Sequence, residues 1–330
     1  MRKYLRKASG LFVLVTLLLC MTAFSAAARQ IHIAIGDLAN GENLNFLVAV
    51  EKAKERGIDI KTSFLKSEEI AAQAIVSGQA DIGMGTPYSL MQKVKAPIRM
   101  FYQLSTLRFF PVVNSEHYQS WKDLDGADIA VHARGSGTEA IMMLMAKKNG
   151  IKYNSVSFVP GSGVRAGAML KGTLKASIVN APNYKLLMKK GNGKFKVLPL
   201  GRINASDEAL YANQNFMKNE PEAINVIVEE MLKTWREINK NPSWIMEQRK
   251  KYGLLKGIPK EDDDEILPYY QEAVENTAFP ANGGDEESAK SDFEFYSVSG
   301  ALEGDPKMLK VEDFWDFTPL NAALAKVGKM

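Results

Sequence analysis

Residues 68–88 read EEIAAQAIVSGQADIGMGTPY, and residues 162–184 read SGVRAGAMLKGTLKASIVNAPNY. The two stretches repeat one pattern. Each opens with an apolar-periodic run that predicts a helix, then turns at a glycine, Gly78 or Gly172. A short strand follows, Asp81–Gly85 in the first and Ala176–Asn180 in the second. Each strand ends in small residues and meets a proline, Thr86-Pro87 or Ala181-Pro182, that starts another helix. A helix that returns to a strand in this way belongs to a parallel sheet covered by helices. Two such units with matching rims predict two lobes. The crevice outside the carboxyl ends of strands is where open α/β sheets take ligands.

Outward from these stretches the same alternation continues. Ile31–Ile35 is a β-branched strand, Leu44–Lys54 a helix closed by Gly57, and Ile58–Phe64 a second strand. Ile98–Leu104 and Phe109–Val113 read as further strands. A second unit opens near Trp121, with strands at Ala127–His132, Val156–Val159 and Lys196–Leu200 and a Met-rich helix at Glu139–Asn149. From Pro221 the chain turns helical, with helices over Pro221–Asn239, Pro242–Tyr252, Ile266–Asn276 and Leu320–Val327. This tail is too long to cap the second unit, so it is expected to fold back on the first. The fold class is therefore α/β: two lobes, each a mixed, mostly parallel sheet flanked by helices, joined by two crossovers. The chain would cross near Asn114–Gln119 and near Gly201–Asn213. That divides it into lobe 1 (29–115 plus 207–330) and lobe 2 (116–206).

Met1–Ala28 reads as a signal peptide. Arg2, Lys3, Arg6 and Lys7 give a positive start, Leu11–Phe24 an apolar run shorter than the ~20 residues of a membrane span, and Ser25-Ala26-Ala27-Ala28 a cleavage site after Ala28. Cys20 follows Leu17-Leu18-Leu19, not the small residue that lipoprotein processing favours. Cleavage takes four positive charges from the 42 Lys and Arg and none of the 38 acids, leaving a formally neutral chain. Nucleic acid and polyanionic surfaces lose their electrostatic basis. The single cysteine goes too, and with it disulfides, thiol catalysis and Cys-based metal sites. No metal or cofactor is expected. The three histidines, 32, 117 and 132, lack metal-ligand spacing.

Gly135-Ser136-Gly137-Thr138 follows a strand and opens a helix, so its N–H groups and hydroxyls form a cradle for an anion or polar ligand. The same four residues also read as a tight βα turn with Thr138 as N-cap. Arg134 beside it can pair with a carboxylate or sulfonate, or remain a solvated surface Arg. Thr86, Pro87 and Tyr88 offer a hydroxyl and a ring at a helix start in the first lobe, where a plain capped helix is the alternative. Asn180 and Asn183 are their counterpart in the second. Asp37 and Leu38 sit at the carboxyl end of the first strand, where turn chemistry is the simpler reading. For a catalytic reading the candidates are Asp37, Glu139 and His132, none with a partner visible in sequence. No G-x-S-x-G elbow and no G-x-G-x-x-G fingerprint occurs.

The stretches SGQADIGMG, KDLDGADIAVHARGSGTEAI, YANQNFMKNEPEAINVIVEEMLKTWREINKNP and VEDFWDFTPLNAALAKVG resemble the periplasmic substrate-binding proteins of the nitrate, sulfonate and thiamine-precursor group, which feed ABC importers. The resemblance implies a type II binding-protein fold with ligand between the lobes. It implies contacts at Asp37–Leu38, Thr86–Tyr88, Thr106–Arg108, Gly135–Thr138, Gly161 and Asn180–Asn183. It also implies a monomeric, non-enzymatic protein of the periplasm that captures a small polar or anionic solute and delivers it to an inner-membrane permease. GSGT resembles the TAXI-type receptors of TRAP transporters as well. A ligand-presenting sensory module is a further alternative.

Overall fold

The strands of this computed structural model, which describes residues 29–330 apart from 202 and 204, fall into two sheets of five. The expected signal peptide Met1–Ala28, with Cys20, lies outside the described residues. The strands are β1 (Ile31–Ile35), β2 (Ile60–Phe64), β3 (Ile82–Gly85), β4 (Ile98–Thr106), β5 (Phe109–Asn114), β6 (Asp128–Val131), β7 (Ser155–Phe158), β8 (Ala176–Asn180), β9 (Phe195–Val197) and β10 (Ser206–Asn213). The first sheet runs β2-β1-β3-β10-β4 and the second β7-β6-β8-β5-β9. In the first, β1 lies parallel to β2 and β3, and β10 pairs antiparallel with β3 and β4. In the second, β6 lies parallel to β7 and β8, and β5 is antiparallel to β8 and β9. The two topologies are the same. The repeated stretches supply β3 and β8, the third strand of each sheet.

In both sheets the antiparallel fourth strand is the one that arrives from the other sheet. The chain leaves β4 and enters β5 through Leu107-Arg108 alone, and it returns from β9 to β10 after Val197. The first crossing is thus not at Asn114–Gln119. Phe109–Val113 pairs with Asn180–Ala176 in the second sheet, whereas a boundary at residue 115 leaves it in the first. Alternation of apolar residues marks a strand without saying which sheet pairs it, so the sequence pattern alone does not locate the crossing.

The helices are α1 (Leu44–Glu55), α2 (Glu68–Val76), α3 (Tyr88–Val94), α4 (Gly137–Asn149), α5 (Ser162–Leu170), α6 (Ala181–Lys190), α7 (Gln214–Asn219), α8 (Pro221–Lys240), α9 (Trp244–Tyr252), α10 (Lys260–Glu275), α11 (Glu286–Ser299) and α12 (Thr318–Val327). α8 buries Ile224, Ile227, Val228, Met231, Leu232 and Trp235 at helical spacing. They pack with α1 and α12 against one face of the first sheet. The Trp235 indole N–H donates to the Leu104 carbonyl at 2.6 Å and anchors the helix to β4. Arg236, one residue on, donates to the carbonyls of Ala281 and Gly328 and so fastens the end of the chain. The opposite face meets an aromatic cluster of Tyr88, Phe293, Tyr296 and Phe314. The helical tail therefore covers the first sheet, and α11 also touches α4 of the second lobe.

Candidate functional site

β1, β2 and β3 end on the side of the first sheet that faces the ends of β6, β7 and β8. The amino ends of the antiparallel β10 and β5 open onto the same crevice. Residues from both lobes line it: Asp37, Glu42, Glu68, Asp207 and Glu208 from the first, and Phe109, His132, Ser136–Thr138, Ser162 and Arg165 from the second. Five carboxyl groups meet here.

Each acid is placed by a local device. Asp37 follows β1 and accepts from the Leu38 N–H at 2.7 Å and the Asn40 amide at 2.9 Å. The Asn40 side chain in turn caps the short 3₁₀ turn Gly41–Asn43 by accepting from the Glu42 N–H. That turn sends the Glu42 carboxyl across the crevice, where the Asn180 amide donates to it. Glu68 is the first residue of α2, capped by Ser67, and accepts from the Thr86 N–H at 3.3 Å. A Cβ on Gly85 would stand 2.8 Å from its carboxyl oxygen. Asp207 and Glu208 open β10 beside the crossing segment.

The environment presses protons onto these groups. Burial, then the charge of Asp37, pushes the Glu42 carboxyl up to about 7 against the Asn180 hydrogen bond. Burial likewise pushes Glu68 up to about 7, opposed by the Thr86 N–H. Asp207 and Glu208 are driven well above the usual carboxylate range by burial and by the neighbouring acids. Arg165 sits at 1% exposure, and its guanidinium donates to the carbonyls of Ile178 and Val159 and to Ser162 Oγ. Burial draws it down to about 10, still charged at neutral pH. His132 Nε2 lies 3.9 Å from Asp37 Oδ1 across the lobes, and its Nδ1 accepts from the Gly161 N–H at 3.4 Å. Burial holds this ring below the ordinary histidine value, opposed by Asp37 and reinforced by Arg165.

The residues singled out from sequence separate into groups. Asp37, Ser136, Gly137 and Thr138 line the crevice, and Asn180 reaches it through Glu42. Leu38 and Gly161 meet at its rim from opposite lobes. The hydroxyls of the GSGT loop are occupied: Ser136 donates to the Ala133 carbonyl, and Thr138 accepts from the His132 N–H. Ser136, not Thr138, is the N-cap of α4, and Gly135 donates to Glu139. Asn183 donates to Asn180 inside α6. Arg134 is exposed and lies over the Phe158 ring, outside the crevice. Thr86 accepts from the Tyr296 hydroxyl, while Pro87 caps α3 and Tyr88 is buried, donating to Asp292 at 2.6 Å. These three brace the wall from behind. Thr106 ends β4 and Arg108 belongs to the crossing, where it is held by Glu272 at 2.6 Å.

A larger groove of about 710 Å³ lies along that crossing, lined by Thr106–Pro111 and by Val197–Gly201, and it holds none of the five acids. The crevice itself encloses about 30 Å³, the room of a single water. Among the described residues no three His, Cys, Asp or Glu side chains are arranged to hold a metal ion, and no helix is long and apolar enough to cross a membrane.

The family model described as NMT1/THI5 like matches residues 40–244. No curated protein sequence is close enough to count as a relative. Solved structures share the fold. A protein from Bordetella bronchiseptica RB50 superposes with a TM-score of 0.72 at 20% identity, covering 91% of this chain and 98% of its own. The periplasmic nitrate-binding protein NrtA of Synechocystis PCC 6803 gives 0.67 at 12%, covering 91% and 89%. The alkanesulfonate-binding protein SsuA of Xanthomonas axonopodis pv. citri, bound to MOPS, gives 0.64 at 14%, covering 88% and 99%.

Proposed function

This chain belongs to the NMT1/THI5-like family, and from that premise we propose that it is a solute-binding protein that closes its two lobes on a small molecule and presents it to an importer of the inner membrane. The observation that carries this reading is the shared crevice. Two sheets of identical topology turn the same ends toward each other, and Asp37–His132 and Glu42–Asn180 bridge the gap. A space of about 30 Å³ admits no solute of several heavy atoms, so binding requires the lobes to move apart. The connections suit such a motion: one is two residues long, and the other runs through the loop after β9. In this reading the protein is exported by its amino-terminal segment, works in the periplasm as a monomer, and releases its solute unchanged. A Ser nucleophile has no support in the geometry, because the hydroxyls of Ser136 and Ser162 already serve caps and Arg165.

A thermal-shift screen against a solute library, followed by small-angle scattering, tests it. A solute present at a hundred times its Kd stabilises the fold by about 2.7 kcal/mol. The expected result is a hit that changes the radius of gyration. A stabilising solute that leaves that radius unchanged argues against capture by closure.

A further inference from the structure

Resting on the reading above, we infer that the solute is an organic cation, a protonated amine or amidine whose N–H groups meet the carboxyl groups of the crevice. Charge comes first. Asp37, Glu42, Glu68, Asp207 and Glu208 converge here, and Arg165, the one guanidinium that lines the crevice among the described residues, has three of its five N–H donors committed to Ile178, Val159 and Ser162. An oxyanion would meet five carboxyl groups, whose ionised forms repel it, and, of the guanidinium donors lining the crevice among the described residues, only the two N–H groups that remain on Arg165. Arg108 stands at the edge with its Nε unpartnered, but its charge is neutralised by Glu272.

The second observation is independent of the acids. Glu42 and Glu208 also line a second recess, of about 10 Å³, together with Asn43, Ser105, Tyr269 and Trp235. Asn43 is 2% exposed, and its carboxamide oxygen has no hydrogen-bond partner. A buried acceptor left unmade is costly, and an N–H donor entering the recess would satisfy it. Tyr269 in this recess and Phe109 in the neighbouring space add aromatic lining for a flat or alkyl body, where a cation close to a ring face gains cation–π attraction. The acids are spread along the crevice and not focused at one point, which suits an extended cation with several donors better than a metal ion. Carboxyl groups driven upward by burial would give up protons as the cation replaces them.

Calorimetry on the purified protein at pH 7.5 decides the matter, with putrescine, agmatine and benzamidine as cations, nitrate and ethanesulfonate as anions, and zinc and calcium as metal ions. The expected result is that a cationic probe binds with proton release, read as a heat that varies with the buffer. Glu208→Gln, or Asp207→Asn where that variant folds better, should weaken it about tenfold or more, the loss of one charge-assisted hydrogen bond. The surface control Glu287→Gln should not. Binding of nitrate or ethanesulfonate in place of the cations overturns the inference and leaves the solute-binding reading standing. Binding of zinc or calcium alone overturns it in favour of a metal. Silence from every probe overturns it too, and the library screen with scattering then judges the solute-binding reading separately.

Discussion

Asp292 shows how much of this molecule depends on single buried groups. It is fully buried, and its carboxylate accepts from the Tyr88 hydroxyl at 2.6 Å and from the N–H and hydroxyl of Ser206 at 2.6 and 2.8 Å. One residue thus ties α11, the start of α3 and the first residue of β10. Asp292→Ala strands three donors, so urea unfolding should show a loss of about 3 kcal/mol or more at unchanged m-value. Asn180→Ala removes both the cap of α6 and the bond to Glu42, for about 1 kcal/mol by the same measurement. At this scale sequence reasoning reached the strand ends, Asp37, Ser136–Thr138 and Asn180, because small polar residues after a strand signal a turn that opens on the rim. It passed over Glu42, Glu68, Arg165, Asp207 and Glu208. Acids in a first helical turn are commonplace for dipole reasons, and Arg165 looks like any helix cation until it is buried. It also took Tyr88 for a rim residue. A ring at a helix start carries no mark of which way the helix faces.

Among elements, the contact between α4 and the crossing segment is close. A Cβ on Gly137 would stand 2.3 Å from the Leu107 side chain and 3.5 Å from an Asp207 carboxyl oxygen. Gly137→Val should therefore hold the lobes apart, at a cost of about 1–3 kcal/mol to the closed arrangement. The checks are a larger radius of gyration in scattering and a lower Tm. Elements with strong periodicity were legible: α8 and the repeated α2–β3 and α5–β8 units announce themselves. Two were not. Ser206–Asn213 carries two acids, Asp207 and Glu208, near its start and reads as a connection, yet it is an interior strand of the first sheet. Glu286–Ser299 buries Ala289, Phe293 and Tyr296 at helical spacing, but the stripe carries the acid Asp292 and the segment is dense in acids, which hides the periodicity.

For the whole molecule, the acidic crevice links shape to pH. Glu42 and Glu68 titrate near 7 in the fold, against about 4.3 in an unfolded chain. The folded protein therefore holds more protons than the unfolded one across that window. The stabilisation is complete below about pH 4.3 and is lost as pH rises through 7. Asp207 and Glu208 extend the same trend upward, and Asp292, raised to about 6, shares its sign. His132, lowered, acts oppositely below its ordinary value, while Arg165 stays charged throughout. The Tm should fall by a few degrees between pH 5.5 and 8, and the double variant Glu42→Gln, Glu68→Gln should flatten the slope. The placement of β10 has another consequence, for the order in which a newly made chain can assemble. The second sheet uses only residues between Phe109 and Val197, so it can be completed as one continuous stretch. The first sheet must wait. Until residues 206–213 emerge, β3 presents a bare edge of unpaired N–H and C=O groups, open to pairing with any strand nearby. The later-encoded lobe can thus mature first, while the earlier half stays exposed longest to mispairing and to the chaperones that prevent it.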